Sequence, residues 1–118
     1  MLRALLAAGL LALVPALSDG PARIDIERAD DALLIRGIFE AAAPPTAELT
    51  YSLDVSKRGT SGTSTSRQGG AFTPAAGSAD TLSTVRLGVQ PGDTVRVDLR
   101  VSGPSGILAE AAFDDVVR

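Results

Sequence analysis

Hydrophobic and polar residues alternate with a period of two along most of this chain, and no helical period of 3.6 competes with it. Leu49, Tyr51, Leu53 and Val55 alternate with Glu48, Thr50, Ser52, Asp54 and Ser56. Val95, Val97, Leu99 and Val101 alternate as strictly with Thr94, Arg96, Asp98 and Arg100. Each pattern predicts a strand with one face on a core and the other in water. Shorter runs occur at Ile24/Ile26, at Leu33/Ile35 continuing to Ile38 and Phe39, at Val85/Leu87/Val89, and from Ile107 to Phe113.

Turn chemistry separates these runs. Ala29-Asp30-Asp31-Ala32 links the first two, and Pro44-Pro45-Thr46 breaks the chain before the third. Gln90-Pro91-Gly92-Asp93 fits a type II turn, with glycine at the position that needs positive φ. Ser102-Gly103-Pro104-Ser105-Gly106 closes a final hairpin. The Gly/Ser/Thr-rich segment Gly59–Gly70 reads as a long loop, followed by a polar edge strand resuming at Ala71-Phe72. About seven short strands with no helix predict an all-β fold, an antiparallel β-sandwich of the immunoglobulin type rather than a closed barrel. Phe39, Tyr51, Phe72 and Phe113 are the largest candidates for its core.

The N-terminus has a different character. Met1-Leu2-Arg3 carries one positive charge, Ala4 to Leu17 is almost wholly apolar, and Ala16-Leu17-Ser18 puts small residues before Asp19. This is the layout of a secretory signal peptide over residues 1–18, leaving residues 19–118 as one domain. The apolar stretch is short for a membrane span, which needs about 20 residues. No membrane insertion is expected after leader removal, and the product is expected to be exported and soluble, as a monomer. An uncleaved anchor or a buried N-terminal helix is the alternative.

Composition narrows the chemistry. The 118 residues include no histidine and no cysteine. Disulfides, thiolate metal sites and thiol catalysis are excluded, and the commonest general base and transition-metal ligand are missing. The net charge of −3 and an aromatic content of 3% give neither the basic footprint nor the stacking platforms that nucleic acid requires. The adjacent pairs Asp30-Asp31 and Asp114-Asp115 fall in a turn and near the C-terminus, where water keeps both members ionised. Arg58-Gly59-Thr60-Ser61-Gly62-Thr63-Ser64 lacks the lysine and helix of a phosphate-binding loop. Lys57, the single lysine, is the one base available to a serine and has no desolvated setting. No enzyme, metal or cofactor is expected.

Arginines offer a better candidate. Arg96 and Arg100 lie on the outward side of their strand, and Arg86 lies on the outward side of the preceding one. If those strands pair through the Pro91-Gly92 turn, the three share a sheet face, with Lys57, Arg58 and Arg67 flanking the polar segment. Such a face can steer an acidic or polar partner. It reads equally as a solvated surface kept charged against sheet aggregation.

The stretch from Tyr51 to Gly70, an alternating strand ending in Lys57-Arg58 and then Gly59-Thr60-Ser61-Gly62-Thr63-Ser64-Thr65-Ser66-Arg67-Gln68-Gly69-Gly70, resembles the curli assembly family of CsgC and CsgH. The resemblance continues through Leu82–Val89, the Pro91-Gly92-Asp93 turn and Val95–Val101. It implies a small periplasmic immunoglobulin-like sandwich that keeps the major curli subunit from forming amyloid before export, without ATP or covalent chemistry. Some members carry a Cys-x-Cys pair where this chain reads Ala47-Glu48-Leu49, so no redox role carries over and the CsgH-like, cysteine-free branch is favoured. The client-binding candidates are then Lys57, Arg58, Arg67, Arg86, Arg96 and Arg100. Two other readings stay open. One is a binding module that docks on a pilus, receptor or other assembly factor. The other is pairing of the polar edge strand Thr63–Phe72 with a client backbone.

Overall fold

A computed structural model describes residues 17–41, 47–60, 62–77 and 79–118. The proposed leader, apart from Leu17 and Ser18, and the Pro44-Pro45-Thr46 break lie outside the described residues. Eight strands run in chain order: β1 (Leu17–Asp19), β2 (Ala22–Ala29), β3 (Ala32–Glu40), β4 (Leu49–Gly59), β5 (Gly62–Phe72), β6 (Ala79–Gly88), β7 (Thr94–Gly103) and β8 (Gly106–Val116). They form two antiparallel sheets, one of five strands in the order β1-β8-β7-β4-β5 and one of three in the order β2-β3-β6. The expected all-β sandwich is what the chain builds.

The alternating positions supply the core. Leu49, Leu53, Val55, Val95, Val97 and Leu99 point inward from the larger sheet and meet Ile24, Leu33, Ile35 and Phe39 from the smaller one. Phe39 and Phe113 are buried as expected, whereas Tyr51 and Phe72 are half-buried at the rim. Phe72 packs edge-on against Phe39, with ring centroids 5.5 Å apart, and against Tyr51 at 6.3 Å.

The turns hold the ends together. Ala29 and Ala32 close the β2–β3 hairpin, with Asp30 at φ 56°, a left-handed conformation that aspartate tolerates. Gly92 adopts the expected positive φ, 95°, and the Asp93 amide donates to the Gln90 carbonyl at 3.1 Å. That turn does not join paired strands, however. β6 bonds to β3 and β7 bonds to β4 and β8, so Pro91-Gly92 carries the chain from one sheet to the other.

The second departure is the segment Gly59–Gly70. Instead of a loop, β4 continues to Gly59, and β5 pairs with β4 from Gly62 to Phe72 without a register shift. The alternative reading of Thr63–Phe72 as a polar edge strand falls within β5, and the loop reading arises because neither face of β5 is buried, so no hydrophobic period marks it.

Candidate functional site

The outward positions of the five-stranded sheet form a charged surface. Register aligns Thr65, Ser56, Arg96 and Asp114 in one row across β5, β4, β7 and β8. The next row holds Arg67, Asp54, Asp98 and Ala112, and the one after it Gly69, Ser52, Arg100 and Glu110. Opposite charges meet within these rows and, at Arg96 and Asp98, between them. Arg67 Nε donates to Asp54 at 2.8 Å, Arg96 Nε to Asp98 at 2.9 Å, and Arg100 Nε to Glu110 at 3.1 Å. Arg96 Nη1 also reaches Asp114 across β7 and β8 at 3.3 Å. The hydrogen bond that Arg96 donates to Asp98, then the charges of Asp98 and Asp114, raise the Arg96 pKa above the usual arginine value. Asp54, Ser56, Thr65, Arg67, Arg96 and Asp98 line a shallow depression in this face.

The six cationic candidates therefore divide. Arg58, Arg67, Arg96 and Arg100 share the outer face of the larger sheet. Lys57 is one residue out of phase, opposite buried Val95, and its Nζ donates to the Gly88 carbonyl at 3.0 Å. It thus ties the hairpin to the end of the smaller sheet. Arg86 sits beside Leu34 on the outer face of the three-stranded sheet, because β6 and β7 do not pair. The expectation that Arg86 joins Arg96 and Arg100 on one face is corrected accordingly.

The face is also less cationic than its arginines alone suggest. Asp54, Asp98, Glu110 and Asp114 answer Arg67, Arg96 and Arg100, whereas Arg58 has no ion pair among the described residues. Net positive charge is concentrated at the β4–β5 hairpin, where Lys57 and Arg58 adjoin. The outward alternation of Asp54 and Asp98 was a visible signal for this neutralisation. The contributions of Glu110 and Asp114 depend on the β7–β8 register, which shifts between Val101 and Ser102.

Two acidic residues depart from their sequence reading. The Asp115 side chain is only 11% exposed and has a buried oxygen without a hydrogen-bond partner among the described residues, so it is not a solvated end. Asp93, 1% exposed, is a structural clamp. Its carboxylate accepts the Gln90 amide at 2.9 Å, its carbonyl accepts the Val117 amide at 2.8 Å, and its side chain fills the space over Gly59. It thereby fastens the β6–β7 crossing and the C-terminal end of β8 to the β4–β5 hairpin. A turn aspartate beside Pro-Gly gives no sign of these distant partners.

The fold has solved relatives. The E. coli curli protein CsgC is similar at 20% identity with a TM-score of 0.64, over 79% of this chain and 97% of that one. The solution structure of R. palustris CsgH is similar at 24% identity with a TM-score of 0.59, over 80% of this chain and 87% of that one. A search of curated proteins finds no match. The model of the CsgH protein family matches residues 22–110, from the first residue of β2 to the middle of β8. This chain belongs to the CsgH family.

Proposed function

We propose that this chain is a periplasmic curli assembly factor that keeps the amyloid-forming major curli subunit from polymerising prematurely. It acts as a monomer, through transient surface contacts and without ATP, cofactor or catalysis. Family membership supports the curli role, and one geometric observation carries the mechanism. The wide outer face of the five-stranded sheet has nothing packed on it among the described residues, and it holds Arg58, Arg67, Arg96 and Arg100 on adjacent strands. Arginines that exchange a solvated intramolecular carboxylate for one on a client give fast, weak, reversible contacts, because each exposed pair is worth only about 0–1 kcal/mol. Lys57 adds charge at the hairpin, whereas Arg86 on the opposite sheet serves a separate contact if it serves any.

Thioflavin T time courses with purified curli subunit test this reading. The wild-type domain lengthens the lag phase at substoichiometric concentration. A folded variant with Arg58, Arg67, Arg96 and Arg100 all changed to serine loses most of that effect. An unchanged lag with the wild type removes the inhibitory function, and full inhibition by the variant removes the arginine contact. Export rests on the leader over residues 1–18. Cleavage before Asp19 leaves only that residue of β1, so the intact mass of the periplasmic protein checks both the cut and the compartment.

A further inference from the structure

The two sheets differ in how their edges are protected. A free strand edge offers unpaired backbone groups to any passing strand, and proteins blunt it with charges, proline, bulges or a covering segment. β2 carries four charges in eight residues, and β8, an edge once the leader is removed, carries Glu110, Asp114 and Asp115 and pairs with β7 through a register shift. β5 has none of these devices. It is eleven residues long, contains no proline or lysine, pairs with β4 without a bulge, and bears one charge, Arg67. Among the described residues its backbone bonds to β4 alone, and it meets the other sheet through the side-chain hydrogen bond from Ser83 to Gln68 and the packing of Phe72 on Phe39 at its far end.

Hairpin geometry identifies the free groups. A two-residue loop makes its flanking pair, Gly59 and Gly62, a hydrogen-bonded pair, and bonded and non-bonded pairs then alternate along the ladder. The N–H and C=O of Thr63, Thr65, Arg67, Gly69 and Ala71 therefore point away from β4. Those of Ser64, Ser66, Gln68 and Gly70 are engaged with it.

The side chains state what fits. Gly70 lies opposite Tyr51, whose ring comes within 3.4 Å of where a Cβ on Gly70 would stand. The partly buried rings of Tyr51 and Phe72 thus flank a position with no side chain of its own. Farther along the same face come Gln68, Ser66 and Ser64, all able to hydrogen-bond. No carboxylate lies anywhere on β5, and Lys57 and Arg58 stand at the hairpin end without a carboxylate partner among the described residues.

We propose that the free edge of β5 takes up an extended segment of an amyloid-prone polypeptide as a sixth strand of the larger sheet. The segment is rich in small polar residues, places one large apolar side chain beside Gly70 against Tyr51 and Phe72, and carries acidic rather than basic residues toward the hairpin. Main-chain bonds supply the affinity and the alternate side chains the selectivity. A client strand held there cannot template the next subunit through that edge. The identity of the client as the curli subunit rests on the function proposed above, and the edge chemistry adds how it is held.

Thr65→Pro is the decisive variant. Its lost N–H points outward, a position where an edge strand accepts proline. Removing one edge bond and blocking a second forfeits about 1–2 kcal/mol, so roughly tenfold more protein is needed for the same lag time. Ser66→Pro, which removes a bond to β4, serves as the control that opens the hairpin itself. Hydrogen exchange on the wild type gives an independent readout. Curli subunit slows exchange at Thr63, Thr65, Arg67, Gly69 and Ala71 while Ser64 and Ser66, already bonded, change little. Inhibition with no added protection at those five amides, or undiminished inhibition by folded Thr65→Pro, overturns the edge site and leaves the inhibitory function standing. A wild type that neither inhibits nor gains protection removes both.

Discussion

β4 and β5 are each eleven residues long and pair with one another from Leu49–Phe72 to Gly59–Gly62, yet they are strands for different reasons. β4 lies between two neighbours and buries Leu49, Leu53 and Val55 against the opposite sheet. Its alternation would select a strand in almost any sandwich. β5 buries no residue and hangs at the edge of the five-stranded sheet beside a three-stranded one. Its conformation is imposed by the ladder along β4 and by a short turn, with Phe72 as its apolar anchor at the far end. The body of the sandwich is thus specified by hydrophobic burial. The wing is held by backbone hydrogen bonds, and a segment held in this way opens at lower free energy than the core.

Truncation at matched positions tests that contrast most severely. Leu53 and Gln68 face each other across the β4–β5 ladder, and Leu53 is 0% exposed. Leu53→Ala is expected to lose about 2–5 kcal/mol, the range for a buried leucine whose cavity only partly collapses. Gln68→Ala gives up one side-chain hydrogen bond to Ser83 and is expected to lose about 1 kcal/mol or less. Urea denaturation followed by circular dichroism gives both values. Comparable losses would show that β5 belongs to the core and erase the distinction.

The same distinction explains what could be read from the sequence. The runs Leu49–Val55 and Val95–Val101 announced themselves because one face is dry and one is wet, and both are strands of the larger sheet. β5 is wet on both faces, so Gly, Ser and Thr followed one another with no period and resembled a loop. The Pro91-Gly92 turn was legible as a turn, positive φ included, but its residues look the same whether the flanking strands pair or part. Val85, Leu87, Val95 and Val97 point into one shared core from opposite sheets, and alternation alone does not say from which. Arg86 therefore falls on the other sheet, while counting outward positions places Arg96 and Arg100; Arg58 and Arg67 read only as flanking the polar segment, and the β4–β5 register puts them on the same face. The carboxylates that neutralise them depend on register between distant strands, as does the burial of Asp93.

Where the wing joins the body, one position should show an intermediate effect. Gly59 ends β4 at the hairpin, and any side chain there would overlap the Asp93 carboxylate. Gly59→Ala is expected to destabilise the domain by about 1–3 kcal/mol, as overpacking beside a buried group does. Asp93→Ala alone loses a comparable amount by leaving the Gln90 amide without its acceptor. The double variant should fall well short of the sum, because the space freed at Asp93 accommodates the new methyl group, with a coupling of about 1 kcal/mol or more. Strict additivity would mean that the hairpin and the β6–β7 crossing are not braced against one another.

The smallest effects are expected on the charged face, and their ranking sharpens the comparison further. Arg67 is the charged link between wing and body, but its side chain is 80% exposed and holds the single carboxylate of Asp54. Arg96 lies on an inner strand, is 55% exposed, and holds Asp98 and Asp114 together. Both are solvated ion pairs, so Arg67→Ser and Arg96→Ser should each leave stability nearly unchanged, with Arg96 the larger effect. At 1 M salt, where the screening length is about 3 Å, the difference between them should nearly vanish. The raised pKa of Arg96 means that its contribution to stability is complete below the ordinary arginine value and is lost only at higher pH. Stability differences between Arg96→Ser and wild type should accordingly be flat from neutral to moderately alkaline pH. A loss on replacing Arg96 as large as that of Leu53→Ala would instead make these ion pairs part of what holds β7 to β8, and the arginines would then not be free to exchange partners with a client.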